Sequence, residues 1–184
     1  MSELTQLQGP EPVSVESVFR RVYGTGKLVN CDLKEAGLES AVYDLAKRCG
    51  IDRQLIYSGT VSAEYCRKTG LTRLVRIALN IEEYVPDLYA RCRRDPAQIM
   101  EAAKEMSAVC HRYGIECVNA NYRLATDAFL DTLEKNRLTL SAWTVDDLTE
   151  ASRFLQRGIQ GGIENVTTRN LRQVLSMAGR QVRK

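Results

Sequence analysis

A parallel β-sheet covered by helices is the fold class that this sequence predicts, on three observations. Short apolar runs alternate strictly with segments of helical periodicity. Capping residues (Ser, Thr, Asp) precede several of the helical segments, and glycine closes others. With 184 residues, 44% hydrophobic and 27% charged, the chain has enough apolar material for one core and too little compositional bias for disorder.

The elements follow in order. Residues 1–13, with Gly9, Pro10 and Pro12, read as a flexible lead-in. Ser14 reads as an N-cap, followed at helical spacing by Val15, Val18, Phe19 and Val22, with Gly24 and Gly26 ending the segment. A strand is expected at 28–33. Leu38, Ala41, Val42, Leu45, Ala46 and Cys49 then mark one buried helix face, closed by Gly50. A second strand is expected at 54–58, a short helix at 62–68 and a third strand at 73–79. Residues 80–95, rich in charge and tyrosine, interrupt the alternation. Asp95, Pro96 and Gln98 then suggest a capping box for a helix that buries Ile99, Ala103, Met106, Cys110 and Tyr113. A strand at 115–119 follows, then a helix capped by Thr126 that carries Phe129, Leu130 and Leu133. The next strand, 138–143, leads to a helix capped by Thr144 with Leu148, Ala151 and Leu155 inward and Gly158 at its end. A last strand at 160–163 precedes a helix with Leu171, Val174, Leu175 and Ala178. Six strand–helix units thus follow an opening helix.

Composition narrows the function classes. The net charge of +3 and the mixing of acids with bases argue against nucleic-acid binding. Two basic clusters, Arg91, Arg93 and Arg94, and the tail Arg180, Arg183 and Lys184, read as solvated surface. The six cysteines lack metal-knuckle spacing and are accompanied by a single histidine, which makes a zinc site improbable. They read as small core hydrophobes in a reducing compartment. No stretch reaches the roughly 20 apolar residues of a membrane span, and a soluble cytoplasmic protein is expected.

Strict alternation fits an open doubly wound sheet or a (β/α) barrel. Pattern alone slightly favours the open sheet, since a barrel usually needs ~250 residues. No Gly-x-Gly-x-x-Gly turn or phosphate-binding loop of the Walker type supports a nucleotide site.

The last 40 or so residues decide between them. Leu140-Ser141-Ala142-Trp143-Thr144-Val145-Asp146-Asp147, a helix, and then Gly158-Ile159-Gln160-Gly161-Gly162-Ile163-Glu164-Asn165-Val166 resemble the final two strands of glycerophosphodiester phosphodiesterases. Pro12 to Phe19 resembles the helix after that family's second strand. Val29-Asn30-Cys31-Asp32-Leu33-Lys34 resembles its third strand, which carries an acid-x-Lys motif, and the strand ending in Ser58-Gly59 sits where expected. The resemblance covers about residues 12–178 and implies an incomplete (β/α)8 TIM barrel of about six parallel strands, spanning 14–179, with 180–184 as a basic tail. The family's His-Arg-Gly, Glu-x-Asp and His-Asp motifs have no counterpart here, and Glu164 stands where the family usually has threonine.

The resemblance implies that Asp32 is a ligand to a divalent cation (Mg²⁺ or Ca²⁺), weakly held, that Lys34 contacts phosphate, and that Trp143 walls a pocket against a glycerol moiety. Asp32 and Lys34 share one side of a strand by the two-residue period, at the strand end where barrels carry their chemistry. Ser58, Asn119, Asn121 and Tyr122 follow or end strands and could hydrogen-bond a ligand. Arg91, Arg93 and Arg94, in the insertion after the third strand, could form a lid. His111, in the last turn of a helix, reads as structural. The family reaction is metal-dependent hydrolysis of glycerophosphodiesters to an alcohol and glycerol 3-phosphate. Without two acid–base groups, each worth about 10²–10⁴ in rate, the chain is expected to be inactive alone. The alternative expectation is a pseudoenzyme that binds a phosphodiester. Two open sheet edges would invite each other, a second copy or a complementing chain.

Overall fold

The computed structural model describes residues 12–159 and 162–181. Residues 1–11 of the expected lead-in and 182–184 of the expected basic tail lie outside these. Six parallel strands, β1 (Val29–Leu33), β2 (Leu55–Gly59), β3 (Arg76–Asn80), β4 (Cys117–Asn121), β5 (Thr139–Trp143) and β6 (Ile163–Val166), lie in sequence order in one curled sheet. Among the described residues eight helices alternate with them: α1 (Val15–Val22), α2 (Glu39–Arg48), α3 (Ala63–Thr69), α4 (Leu88–Arg94), α5 (Gln98–Tyr113), α6 (Asp127–Lys135), α7 (Leu148–Ile159) and α8 (Leu171–Gln181). This is an incomplete α/β barrel, as expected. β1 and β6 are the two ends of the sheet and do not pair with each other.

The two-residue period of the strands divides the molecule. Leu33, Tyr57, Ile77, Leu79, Val118, Ala120, Leu140 and Ala142 enter the buried core under the helices. The alternate residues line the concave side, and most are polar. They satisfy one another across neighbouring strands: Ser58 donates to Asn30 Oδ1 at 3.0 Å, Asn119 to Asn80 Oδ1 at 2.6 Å, and Asn165 to Ser141 Oγ at 3.1 Å. A register shift between β5 and β6 lets the consecutive Glu164 and Asn165 both reach this side. Glu164 accepts from Thr139 at 2.7 Å and pairs with Arg76 of β3 at 2.8 Å, so that edge strand β6 is anchored across two intervening strands. That role accounts for a glutamate at position 164.

Several boundaries and faces differ from the sequence expectation. The last strand runs 163–166 rather than 160–163, because its pairing with β5 sets Val166 opposite Ala142; positions 160 and 161 are outside the described residues. β3 begins at Arg76, since Leu71–Arg73 form a 3₁₀ turn. The interruption at 80–95 holds a 3₁₀ turn, Ile81–Glu83, and α4. The cap of α7 is Asp147, whose Oδ1 accepts from Thr149 and Glu150 at 2.8 and 3.0 Å, not Thr144. Asp95 makes no capping box; its Oδ1 accepts from Ala97 N–H in a turn ahead of α5. Val15, Val18, Leu148, Leu171 and Leu175 are exposed, for α1, α7 and α8 each bury only part of their apolar stripe, and Leu38 and Ala41 fall outside the buried face of α2. Thr126 caps α6 as expected, accepting from Phe129 N–H at 3.2 Å.

Periodicity gives no hint that Glu39 is wholly buried. Its Oε1 accepts from Ser62 N–H at 2.8 Å, at the cap of α3, while Oε2 has no partner among the described residues. Its carbonyl takes the Tyr57 hydroxyl at 2.8 Å. The residue therefore ties α2 to β2 and α3. Glu39→Ala strips the acceptor from the Ser62 amide and is expected to lower stability by about 1–3 kcal/mol in urea unfolding. Glu39→Gln keeps an acceptor without the buried charge and should lose less. A larger loss in Gln than in Ala would remove this role.

None of the six cysteines is paired; five are buried and Cys31 is half-buried. Burial pushes the Cys31 thiol up to about 11 and the Cys66, Cys110 and Cys117 thiols up to about 12, from 9.0. Above pH 9.0 the folded chain thus binds more thiol protons than the unfolded one. Stability from these groups is complete below that value and is lost as pH rises toward about 11–12. The urea midpoint should fall between about pH 8 and about pH 10, and replacing Cys110 and Cys117 with alanine should shrink that fall. An unchanged fall in that variant would assign it to other groups.

Candidate functional site

The C-terminal ends of the strands open into a cleft of about 470 Å³. β1 contributes Asn30, Asp32 and Leu33, followed by Lys34. β2 contributes Ser58 and Gly59, followed by Thr60. Asn80 ends β3, and the turn after it supplies Glu82 and Glu83. Asn119 of β4, Trp143 of β5 with Thr144, and Thr167 after β6 complete the wall. Asp32, Lys34, Ser58, Asn119 and Trp143, scattered over more than 100 residues of sequence, are thus brought to one place.

Local structure explains the arrangement. Asp32 lies opposite Ser58 and Leu33 opposite Gly59 in the β1–β2 register. Gly59 has a positive φ of 82°, and a Cβ there would run into the Asp32 carboxylate and the Leu33 backbone, so this close approach requires glycine. Thr60 N–H donates to Leu33 carbonyl at 2.7 Å, clamping the end of edge strand β1. Lys34 Nζ lies 2.6 Å from Asp32 Oδ2, in a pair that is 79% and 50% exposed and therefore orients the two groups more than it stabilises the fold. On the other side, Val145 N–H donates to Thr167 carbonyl and Thr167 N–H to Ala142 carbonyl, both at 2.8 Å. Asp146 accepts from Arg169 Nε at 2.6 Å, and the Arg169 guanidinium holds its carboxyl below the usual range. The Trp-Thr-Val-Asp segment thereby locks the loop after β6 and presents Trp143 and Thr144 to the cleft.

Polar capacity remains at the floor. Asn119 is 9% exposed and donates to Asn80, while its Oδ1 accepts no hydrogen bond among the described residues. Glu82 Oε2 accepts from the Tyr89 hydroxyl at 3.2 Å. Glu83 is exposed and makes no hydrogen bond or ion pair among the described residues.

Other candidates fall elsewhere. Asn121 and Arg93 line a separate surface hollow with Tyr89 and Cys92, and Tyr122 lines another with Arg153. Asn121 Oδ1 accepts from Arg123 N–H at 3.0 Å, a turn role. Arg91 is held by Glu105 at 2.9 Å and Gln98 at 3.2 Å; Arg93 and Arg94 donate to the carbonyls of Tyr89 and Ala90. This cluster contributes none of the residues that wall the cleft. His111 Nε2 donates to Asn136 carbonyl at 2.9 Å, in the last turn of α5, away from the strand ends that carry the cleft. A further cavity of about 310 Å³, between Arg76, Cys117 and Glu164, lies at the N-terminal end of the strands and holds none of the candidates.

The wall residues missed from sequence are Asn30, Leu33, Gly59, Thr60, Asn80, Glu82, Glu83, Thr144 and Thr167. The two-residue period gives Asn30 once Asp32 is placed, and Asn80 closes β3 as Asn119 lies near the close of β4. Nothing in the pattern singles out Glu82 or Glu83 within a charged loop.

The divalent cation that the resemblance implies was tested against these side chains. Among the described residues no three His, Cys, Asp or Glu side chains are grouped to hold a metal ion. Asp32 is already paired with Lys34, and Glu82 and Glu83 lie two strands away in the turn after β3, so the carboxylates of the wall are not gathered into one oxygen cage. The residues present therefore do not make that cation site by themselves. Nor is any described helix long and apolar enough to cross a membrane.

No protein-family model matches the chain, and no curated protein matches it. Among solved structures, a glycerophosphodiester phosphodiesterase from Parabacteroides distasonis ATCC 8503 superposes with a TM-score of 0.58 at 13% identity, over 91% of this chain and 64% of that one. The chain thus spans about 64% of the length of that enzyme. At this identity the likeness concerns the fold alone, which is similar to part of that enzyme's.

Proposed function

We propose that this chain is a phosphodiester-binding relative of the glycerophosphodiester phosphodiesterases that does not hydrolyse its ligand by itself. The observation that carries the reading is the convergence of Asp32, Lys34, Ser58, Asn119 and Trp143 on one cleft at the C-terminal ends of the strands. In this reading Lys34 faces the phosphate as a point charge, with the hydroxyls of Ser58 and Thr60 and the Asn30 amide as further donors. Trp143 walls the glycerol end with its apolar ring. Asp32 sets the position of Lys34 rather than holding a metal.

Hydrolysis needs an acid and a base within hydrogen-bond reach of the reacting oxygens. The sole histidine of the 184 residues is committed to the Asn136 carbonyl, and the wall of the cleft holds no histidine. The unpaired cysteines fit the reducing setting that this reading expects.

The test pairs catalysis with binding. With glycerophosphocholine and Mg²⁺ or Ca²⁺, the purified chain should release no glycerol 3-phosphate above an Asp32→Ala control. Glycerol 3-phosphate should still bind saturably in calorimetry, with affinity reduced about tenfold in Lys34→Ala. Turnover that disappears in Asp32→Ala would overturn the non-catalytic part, and absence of any binding would overturn the rest.

A further inference from the structure

The insertion after β3 builds a second hollow, away from the cleft. Tyr89, Cys92 and Arg93 fall on one side of α4, at three- and four-residue spacing. Ile99 joins them from the first turn of α5, and Asn121, Arg123 and Leu124 from the end of β4 and the turn beyond it. Together they line about 320 Å³ and share no residue with the wall of the cleft.

Floor and rim differ in chemistry. Leu124 is 4% exposed, Cys92 is 8% exposed and Ile99 is half-buried, so the floor is apolar. The Tyr89 hydroxyl donates to Glu82 at 3.2 Å and accepts from Asn121 N–H at 3.4 Å, which leaves its ring for the hollow. The side chains of the rim offer donors. Arg93 spends Nε on the Tyr89 carbonyl at 3.3 Å, and its two terminal nitrogens have no partner among the described residues. The Arg123 guanidinium stands 5.5 Å from the Tyr122 ring centroid and makes no hydrogen bond or ion pair among the described residues. Asn121 Oδ1 accepts from Arg123 N–H at 3.0 Å, while its Nδ2 has no partner among them. No carboxylate lines the hollow, so both guanidinium charges stand unanswered there.

We infer that this hollow is a second binding site, for a compact apolar molecule that ends in a carboxylate. It is larger than the roughly 150 Å³ that holds a benzene ring and lies at the small end of ligand pockets. An aryl group or a medium-length alkyl chain therefore fits over Ile99, Cys92 and Leu124. A carboxylate at the rim meets guanidinium forks of matching planar shape and the Asn121 amide. An apolar body alone leaves the arginines unanswered, and an anionic head alone leaves the floor wet. Arg93, which takes no part in the cleft, has a use here. The site stands independently of what the cleft binds.

Calorimetric titration with octanoate and phenylpropionate, against their neutral amides and acetate, tests this on the wild-type chain and on Arg93→Gln, Arg123→Gln and Lys34→Ala. Thermal melts check folding, which the exposure of both arginines favours; should one arginine variant fail to fold, the other carries the test. At least one of the two acids should bind saturably, about tenfold or more tightly than its amide and than acetate. Each arginine variant should lose about tenfold of that affinity, and Lys34→Ala should leave it unchanged. Either order of the two acids upholds the site: octanoate ahead assigns an alkyl acid, phenylpropionate ahead an aryl one. An amide that binds as tightly as its acid, a loss in Lys34→Ala in place of the arginine variants, or no saturable binding of either acid overturns it.

Discussion

A sheet that curls without closing leaves its concave side without facing strands among the described residues, and much of this molecule follows from that. In a closed barrel the inward side chains of facing strands fill one another's space with apolar atoms. Here, among the described residues, no strand faces β1 to β6 from the other side, so an apolar inner face would have no facing side chains to pack against. The chain places Asn30, Asp32, Ser58, Asn80, Asn119, Thr139, Ser141, Glu164 and Asn165 there instead. Each pairs with a neighbour on this side, so the buried members Ser58, Asn119 and Ser141 keep hydrogen-bond partners. The outward residues of the same strands are free to be large and apolar and carry the core against the helices.

The polar lining is also the cleft. The groups that make the concave side tolerable in water are those that a polar ligand would meet at the C-terminal strand ends, so solvation and recognition draw on the same side chains. This explains why the cleft is rich in carboxamides and hydroxyls and poor in apolar surface, Trp143 and Leu33 excepted. Two carboxylates in the turn after β3 outweigh one ammonium that Asp32 already neutralises.

How far the sequence disclosed this depends on the range of each interaction. The alternation of elements was legible, because each helix and strand writes its own period into the chain. Asp32, Lys34, Ser58, Asn119 and Trp143 were legible as strand-end residues, and the sheet collected them. Element edges were less so: Asp147 rather than Thr144 caps α7, and β6 starts later than its apolar run, since register with β5 overrides local preference. Buried Glu39 was illegible, because its partner Ser62 is 23 positions away and helical spacing marks it as surface. Glu164 was noticed as unusual, but its partner Arg76 lies far along the chain. Glu82 and Glu83 were hidden in a charged loop whose path only the tertiary fold determines.

The position of the site relative to the open edges bears on whether a closed barrel is needed for it. β1 is an edge strand, yet Gly59 lets β2 approach it closely, and Thr60 N–H holds the Leu33 carbonyl beside Asp32 and Lys34. β6 is the other edge, and it is held three times over: by Arg76 and Glu164 across the concave side, by the Val145–Thr167–Ala142 backbone bonds, and by Asp146 against Arg169. Both ends of the sheet are therefore fastened at the points where the cleft begins and ends. None of these fastenings borrows a group from beyond the edges. The geometry that gathers Asp32, Lys34, Ser58, Asn119 and Trp143 is thus a property of the six strands themselves.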